Sequence, residues 1–351
     1  MAIPATTDEL TPAWFSEVLD ADITGVERLD AHSGTTGRAV VRLTSDDDVP
    51  DTVFVKLQPF TPERREFLRM VGLGVAEAKL YAAVGNDLPV RSPHCWHADF
   101  DDTDGSFVMV LEDLAAAGCR FPTADDEHIL GIAESLMDEL AVLHAAFWDQ
   151  ELPWLGRHAL SGGVADDDEQ RALMAGGAAL VEMAVDQFAA ELPPAFTELA
   201  RTYADCYLDI AVLWDDGTKT LIHADDHVGN LFVDRGRSGF FDWAVASRFP
   251  GMRDVAYFLC NSLPPEVRRA EERALLTRYL KRLADNGISL DRDLAEAQYR
   301  LFAVYAWLSA TTTSAMGSEL QPIEVGKAAM ARTTQAVIDL EVLDFLRDHL
   351  G

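Results

Sequence analysis

The sequence predicts an α+β protein of two lobes, a smaller mixed lobe ending near residue 114 and a larger, mostly helical lobe over the rest of the 351 residues. Three observations predict it. Short apolar, β-branched runs punctuated by Gly, Asp and Pro fill much of the first 114 residues. Long stretches of helical periodicity dominate beyond them. Short strand-like pieces, 220–223 with 231–233 and then 239–242, interrupt those helices around a polar segment. At 48% hydrophobic and 25% charged, the chain has enough apolar material for one large domain or two joined ones, which excludes a disordered protein.

Taken in order, the first helix is signalled by Thr11-Pro12, a capping hydroxyl followed by proline at the first helical position. Strand-like runs come next at 23–29, 38–43 and 52–57. Helical periodicity returns over 63–84, with a break at Gly72 to Gly74, and a strand-like run at 107–111 succeeds the polar turn 101–105. Beyond Leu114, residues 129–147 are amphipathic, with Ile132, Leu136, Leu140 and Leu143 near one face. Further helices are expected at 173–190, 195–213, 265–286, 294–313 and 322–345. The sequence contains no repeat of fixed period. A cleft between two such lobes is a common place for a small-molecule site.

Bulk properties narrow the function. Cys95, Cys119, Cys206 and Cys260 lie far apart with no C-x-x-C pair, so neither a zinc site nor a disulfide framework is expected. The formal charge of −30 argues against nucleic acid or an anionic membrane as a partner. It leaves two readings: an acidic cleft for a cationic substrate, or a solubilising surface. The acidic clusters at 46–48, 101–102, 125–127 and 166–169 fall in loop-like stretches, which favours the surface. The N-terminus does not read as a signal peptide, and no apolar run approaches the roughly 18 residues of a membrane span. A cytoplasmic protein is expected; its oligomeric state leaves no signal.

The informative stretch is Leu-Ile-His-Ala-Asp-Asp-His-Val-Gly-Asn-Leu-Phe, residues 221–232. His223-Ala224-Asp225 is followed by four residues and Asn230, and then, after an apolar strand, by Phe241-Asp242-Trp243. This matches the kinase catalytic loop H-x-D-x-x-x-x-N with its later metal-binding Asp. Asp225 is suited to accept the proton of an attacking hydroxyl, while Asn230 and Asp242 are suited to hold Mg²⁺ against the phosphates. Such a transfer needs positioning and charge neutralisation more than covalent chemistry from protein. The bland alternative is a polar loop whose Asp and Asn only shape turns. Asp226 rivals Asp225 as the base, but its distance to Asn230 is one residue short.

The segment resembles the H-G-D-x-H-x-x-N box of the aminoglycoside phosphotransferase and choline kinase superfamily. The resemblance extends over most of the chain, and the E-D-L, L-H-A-x-x-W and E-x-x-x-Y stretches look closest to the ecdysteroid-kinase-like branch. It implies a bilobal protein-kinase-like fold, with a nucleotide-binding lobe over 1–114 and a lobe carrying the catalytic loop and substrate site over 115–351. It implies that Ser33, Gly34, Thr35, Thr36, Gly37 and Arg38 form the phosphate loop. Lys56 becomes the phosphate-binding lysine, Glu77, followed by Tyr81, its helix partner, and residues 108–114, with Glu112 and Leu114, the adenine-binding hinge. Asp254 resembles the aspartate that braces the catalytic loop, and Leu143-His144-Ala145 near Trp148 resembles a helix ending common in these proteins.

Each secondary motif has a plainer reading. The loop at 33–38 lacks a full G-x-G-x-x-G and could be an ordinary turn. Lys56 could be an edge lysine, although an unpaired ammonium in an apolar strand is costly. Glu63 and Glu66 compete with Glu77. Glu112-Asp113 could simply end a strand, His144 reads as a core histidine, and His223 as an ordering residue. Tyr257, Tyr299, Tyr305 and Trp307 divide between lining the substrate side and packing the core. Ala224, Val228 and Asp226 depart from the usual glycine, proline or aromatic, and apolar residue. None removes a catalytic group. The expectation is an ATP- and Mg²⁺-dependent kinase acting on a hydroxyl of a small molecule, with a protein kinase or a non-catalytic nucleotide-binding regulator as alternatives.

Overall fold

The computed structural model describes residues 2–156, 158, 168–318 and 322–350. Asp166 and Asp167, part of one acidic cluster, lie outside them. The chain opens with helix α1 (Pro12–Leu19), whose cap is the expected one: the Thr11 hydroxyl accepts the Trp14 N–H at 3.2 Å. Strands β1 (Ile23–Ser33), β2 (Gly37–Ser45) and β3 (Thr52–Leu57) form an antiparallel meander. Helices α2 (Pro62–Val71) and α3 (Leu73–Val84) part at Gly72, whose positive φ of 73° lets its N–H return to the Leu68 oxygen. Strands β4 (Cys95–Phe100) and β5 (Phe107–Glu112) complete a five-stranded sheet of order β1-β2-β3-β5-β4.

Strand β4 was not expected. Its residues are all half-buried and show no apolar alternation, because it is an edge strand held by its ladder with β5. The two-residue period of β3 explains the placement of its lysine. Val53, Val55 and Leu57 point into a core with Phe15, Val41 and Val110, so Phe54 and Lys56 face the other way. On that second side Phe107, Met109 and Leu111 join Leu80 and Tyr81 of α3 in the large core shared with the helical lobe.

The helical part comprises α4 (Ile129–Ala146), α5 (Asp168–Phe188), α6 (Pro194–Asp215), α7 (Met252–Ser262), α8 (Pro265–Asp285), α9 (Arg292–Ala315), α10 (Ile323–Asp339) and α11 (Val342–Leu350). Between α6 and α7 lie β6 (Thr220–Ile222), β7 (Leu231–Asp234), β8 (Arg237–Phe240) and β9 (Ser247–Phe249), paired β6 with β9 and β7 with β8. Three expectations need correction. The run 322–345 is two helices, parted at Leu340-Glu341 where Glu341 takes a φ of 52°. Strand β8 ends at Phe240, and Asp242 beyond it is left-handed. Helix α7 was missed; all eleven of its residues are buried, and its charged and amide residues, Arg253, Asp254 and Asn261, lie near its two ends. Among the described residues no helix is long and apolar enough to cross a membrane.

Candidate active site

The loop between β6 and β7 lies on α7. Asp254, in the first turn of that helix, accepts the main-chain N–H of His223 at 2.7 Å and of Ala224 at 2.8 Å. Its carboxylate also meets His144 Nε2 at 3.3 Å, and His144 Nδ1 lies 2.9 Å from the Tyr279 hydroxyl. His144 is therefore spent inside a buried polar network, the core role its sequence context suggests. Ala224 must adopt a φ of 67° to present both N–H groups to Asp254, a conformation in which glycine carries no Cβ penalty.

His223 orders the same loop from within. Its Nδ1 accepts the Asp225 N–H at 3.3 Å and its Nε2 donates to the Phe241 oxygen at 3.0 Å. That pair of roles belongs to a neutral imidazole protonated at Nε2, and burial agrees, pulling its pKa down despite Asp254 and Asp225.

The two consecutive aspartates have opposite fates. Asp225 stays about one-third exposed, its Oδ1 receiving the Tyr257 hydroxyl at 2.7 Å and its Oδ2 the Asn230 Nδ2 at 2.9 Å. Each oxygen keeps a lone pair for another donor. Asp226 is fully buried with neither oxygen bonded; burial first, then Asp254 and Asp225, push its pKa well up. Asp225 is thus the carboxylate of this loop that an incoming group can reach.

A cavity of about 270 Å³ lies between the sheet and the helical lobe. Val40, Phe54 and Leu111 line its apolar part, 112–115 close one end, and Arg38, Lys56, Glu77 and Asp242 form the charged end. Lys56 bonds Glu77 in a short ion pair and Asp242 Oδ1 at 2.8 Å. Burial disfavours the ammonium, but Asp242 and Glu77 outweigh it and raise the Lys56 pKa. Burial likewise acts against the Asp242 carboxylate, and Lys56 overcomes it, bringing its pKa to about 2. Glu77 also accepts the Trp243 N–H at 3.2 Å, and burial, the larger effect there, leaves its pKa raised. Among its rivals, Glu66 is occupied with Arg69 on an exposed face.

Residues 112–115, the expected hinge, line the cavity. The Glu112 carboxylate is held by both terminal nitrogens of Arg91, at 2.8 and 2.6 Å, and Arg91 Nε also reaches Asp234 at 2.8 Å. Both Glu112 oxygens are thus engaged, Oε2 also by the His94 N–H at 3.0 Å, and sequence reasoning missed Arg91 altogether. Leu114 lines the cavity; its oxygen takes the Cys119 N–H, while its own N–H has no main-chain acceptor among the described residues.

The loop at 33–38 is brought in only at its end. Arg38 lines the cavity and lies 3.8 Å from Asp242. Ser33 and Gly34 offer their oxygens to Arg64 at 2.8 and 3.0 Å, and Ser33 Oγ accepts the Phe60 N–H. Thr35 sits at the hairpin tip and Thr36 is buried, its hydroxyl accepting Arg38 Nε at 3.4 Å. Gly37 is required by packing, since a Cβ there would come within 2.5 Å of the Gln58 oxygen.

Asn230 and Asp242 fit a magnesium ion by donor chemistry. The Asn230 amide nitrogen is committed to Asp225, which leaves its side-chain oxygen without a hydrogen bond among the described residues, and Asp242 Oδ2 lies 3.8 Å from Arg38. Two hard oxygens that leave further positions to phosphates and water suit Mg²⁺. Among the described residues no three His, Cys, Asp or Glu side chains gather as a metal cage.

Of the four aromatics that the sequence left divided, Tyr257 touches the site. Tyr299 is buried against Glu272, and Trp307 packs on Phe196, both in the core. The signal for Tyr257 was available: it follows Asp254 by three residues and so shares its helix face.

A small antiparallel sheet set over a helical lobe, with this loop between them, is the bilobal kinase-like architecture. The chain belongs to the ecdysteroid kinase-like family, which it matches over residues 29–291. Similar solved structures include a choline kinase from Streptococcus pneumoniae, 15% identical with a TM-score of 0.55, covering 95% of this chain and 99% of that one. A choline kinase from Cryptosporidium parvum is 10% identical with a TM-score of 0.56 and covers 93% of each chain. A thermostable aminoglycoside phosphotransferase variant, solved with ADP and hygromycin B, is 12% identical with a TM-score of 0.50 and covers 94% and 98%. No curated protein matches the chain by sequence. At such identities the likeness is one of fold, that of the small-molecule kinases and phosphotransferases.

Proposed function

We propose that this protein is an ATP- and Mg²⁺-dependent kinase that phosphorylates a hydroxyl of a small molecule. One observation carries the reading: a continuous bonded path joins both halves of the chemistry. Asp225 is bonded to Asn230, the Asn230 main-chain oxygen accepts the Phe241 N–H at 3.1 Å, and the next residue, Asp242, is bonded to Lys56 and through it to Glu77. The base and the phosphate-binding charges are thus set in one rigid frame.

In this reading residues 1–114 bind the nucleotide, with adenine against 112–114 and the phosphates toward Lys56 and Arg38. Asn230 and Asp242 would hold magnesium, which supplies charge neutralisation at the phosphates. Asp225 receives the proton as the acceptor oxygen bonds to the γ-phosphorus, the bond from that phosphorus to the β-γ bridging oxygen breaks, and ADP leaves. The Tyr257 and Asn230 hydrogen bonds hold the Asp225 carboxylate in the orientation that the attack requires.

The test is ADP release with Mg²⁺ against aminoglycosides, choline, sugars, sterols, macrolides and hydroxy acids. Asp225→Ala is expected to lower turnover by about 10²- to 10⁴-fold, the usual weight of a general base. Full activity of that variant on the true acceptor would remove Asp225 from the mechanism.

A further inference from the structure

Cations are scarce in this chain, 29 Lys and Arg against 59 Asp and Glu. Arginines drawn in from solvent tend to be claimed by carboxylates: Arg91 holds Glu112 and Asp234, and Arg268 holds Glu272 and Asp339. Arg332 of α10 is not claimed. It is half-buried, and its bond within the chain runs from Nε to the main-chain oxygen of Asn261, at 2.5 Å. Its two terminal nitrogens have no partner among the described residues. Burial pulls its pKa down; Asp125 is the carboxylate that opposes this, without forming an ion pair.

The position of Asn261 gives this fork its meaning. Helix α7 runs along the whole catalytic loop: Asp254 holds 223 and 224, Tyr257 reaches Asp225, and Ser262 Oγ accepts the Val228 N–H at 2.9 Å. Asn261 lies four residues beyond Tyr257, on the same helix face. It is only 8% exposed, yet its carboxamide forms no hydrogen bond among the described residues. Next along α7 from the base there are therefore an unbonded amide and a guanidinium anchored through Nε, with Nη1 and Nη2 left over.

A guanidinium fixed in this way presents two parallel donors, the arrangement that matches a carboxylate bidentately. A cationic acceptor would be repelled by an open guanidinium at this position. We propose that the acceptor carries a carboxylate as well as the hydroxyl to be phosphorylated, the carboxylate held by Arg332 and Asn261 while the hydroxyl meets Asp225. This rests on the kinase reading for the fate of the hydroxyl, but the carboxylate site stands on its own contacts. Choline-like and aminoglycoside-like acceptors are disfavoured by the same charge.

Binding separates this proposal from turnover. The full chain is screened by thermal shift and titration calorimetry against aliphatic, aromatic and steroidal hydroxy acids, each beside its methyl ester. At least one acid is expected to bind about 10- to 100-fold more tightly than its ester, the weight of charge-assisted hydrogen bonds. Arg332→Ala should erase that preference, and Arg332→Lys, which keeps the charge and loses the fork, should retain part of it. Esters binding as well as acids, a hydroxy amine binding best, or no acid binding at all would overturn the proposal. So would an Arg332→Ala protein that loses acid and ester equally, since that marks a structural role. The Asp225→Ala assay fails or succeeds independently of these outcomes.

Discussion

Lys56, Glu77 and Asp242 share one buried knot in which each charge meets an opposite charge from its own chain. Around α7 the pattern is reversed. Both oxygens of Asp226 and the Nε of Arg253 are buried without hydrogen bonds, Arg253 lies between the Phe249 and Tyr305 rings, and the Arg332 fork is open. In the first region every charge has a partner before any ligand arrives, one ammonium serving two carboxylates, so removing Lys56 strands both of the others. The second is left uncompensated, so its charges must be answered by a ligand or suppressed by protonation. Under the proposed function the first region is the nucleotide end and the second the acceptor end, where this chain's own charges would choose the substrate.

The largest effect should come from breaking the knot. Lys56→Met leaves Glu77 buried without its cation, which should cost about 3–5 kcal/mol in urea unfolding. The double variant Lys56→Met with Glu77→Leu should recover most of that stability while turnover stays lost, separating the structural from the chemical role of the lysine. If the double variant were as unstable as the single one, the knot would not be self-compensated.

Asp226 sharpens the other half of the comparison. Its pKa is raised in the fold above the ordinary 3.8. Between those two values the folded protein keeps a proton that the unfolded chain has released, so stability falls as pH rises, by up to about 1.4 kcal/mol per pH unit. Asp226→Asn should flatten that decline, gaining on the wild type at pH 8 relative to pH 5 in urea melts. Parallel pH profiles for the two proteins would mean that Asp226 is not held neutral. The smallest effect concerns Ala224, where relief of the left-handed backbone by Ala224→Gly should add about 0.5–1 kcal/mol, read as a modest rise in Tm. Unchanged or lower stability would show that the brace from Asp254 carries no backbone strain.

Legibility in the sequence divided along the same line. Asp225, Asn230 and Asp242 were singled out by the spacing of one loop, and Lys56 and Glu77 by resemblance to a known superfamily; the structure joins Asp225 to Asn230 and Lys56 to both Glu77 and Asp242. The β-branched, apolar run at 52–57 and the cap at Thr11 gave their elements directly. Helix α7 escaped because it is only eleven residues long with its polar residues near its ends, and β4 because a ladder alone holds an edge strand. Arg91 and Arg332 were invisible for a different reason: what matters is which partner each does or does not meet across 143 and 71 residues of chain. The loop at 33–38 was legible as a hairpin, but Arg64, which ties down its tip, had no motif to announce it.

The most direct measurement is a crystal structure of the full chain with Mg²⁺ and a non-hydrolysable ATP analogue. The expected result is adenine against the Leu114 N–H, phosphates at Lys56, and the metal on Asn230 and Asp242, with Asp225 facing the γ-phosphate. A nucleotide seated elsewhere, or a γ-phosphate turned away from Asp225, would contradict the account.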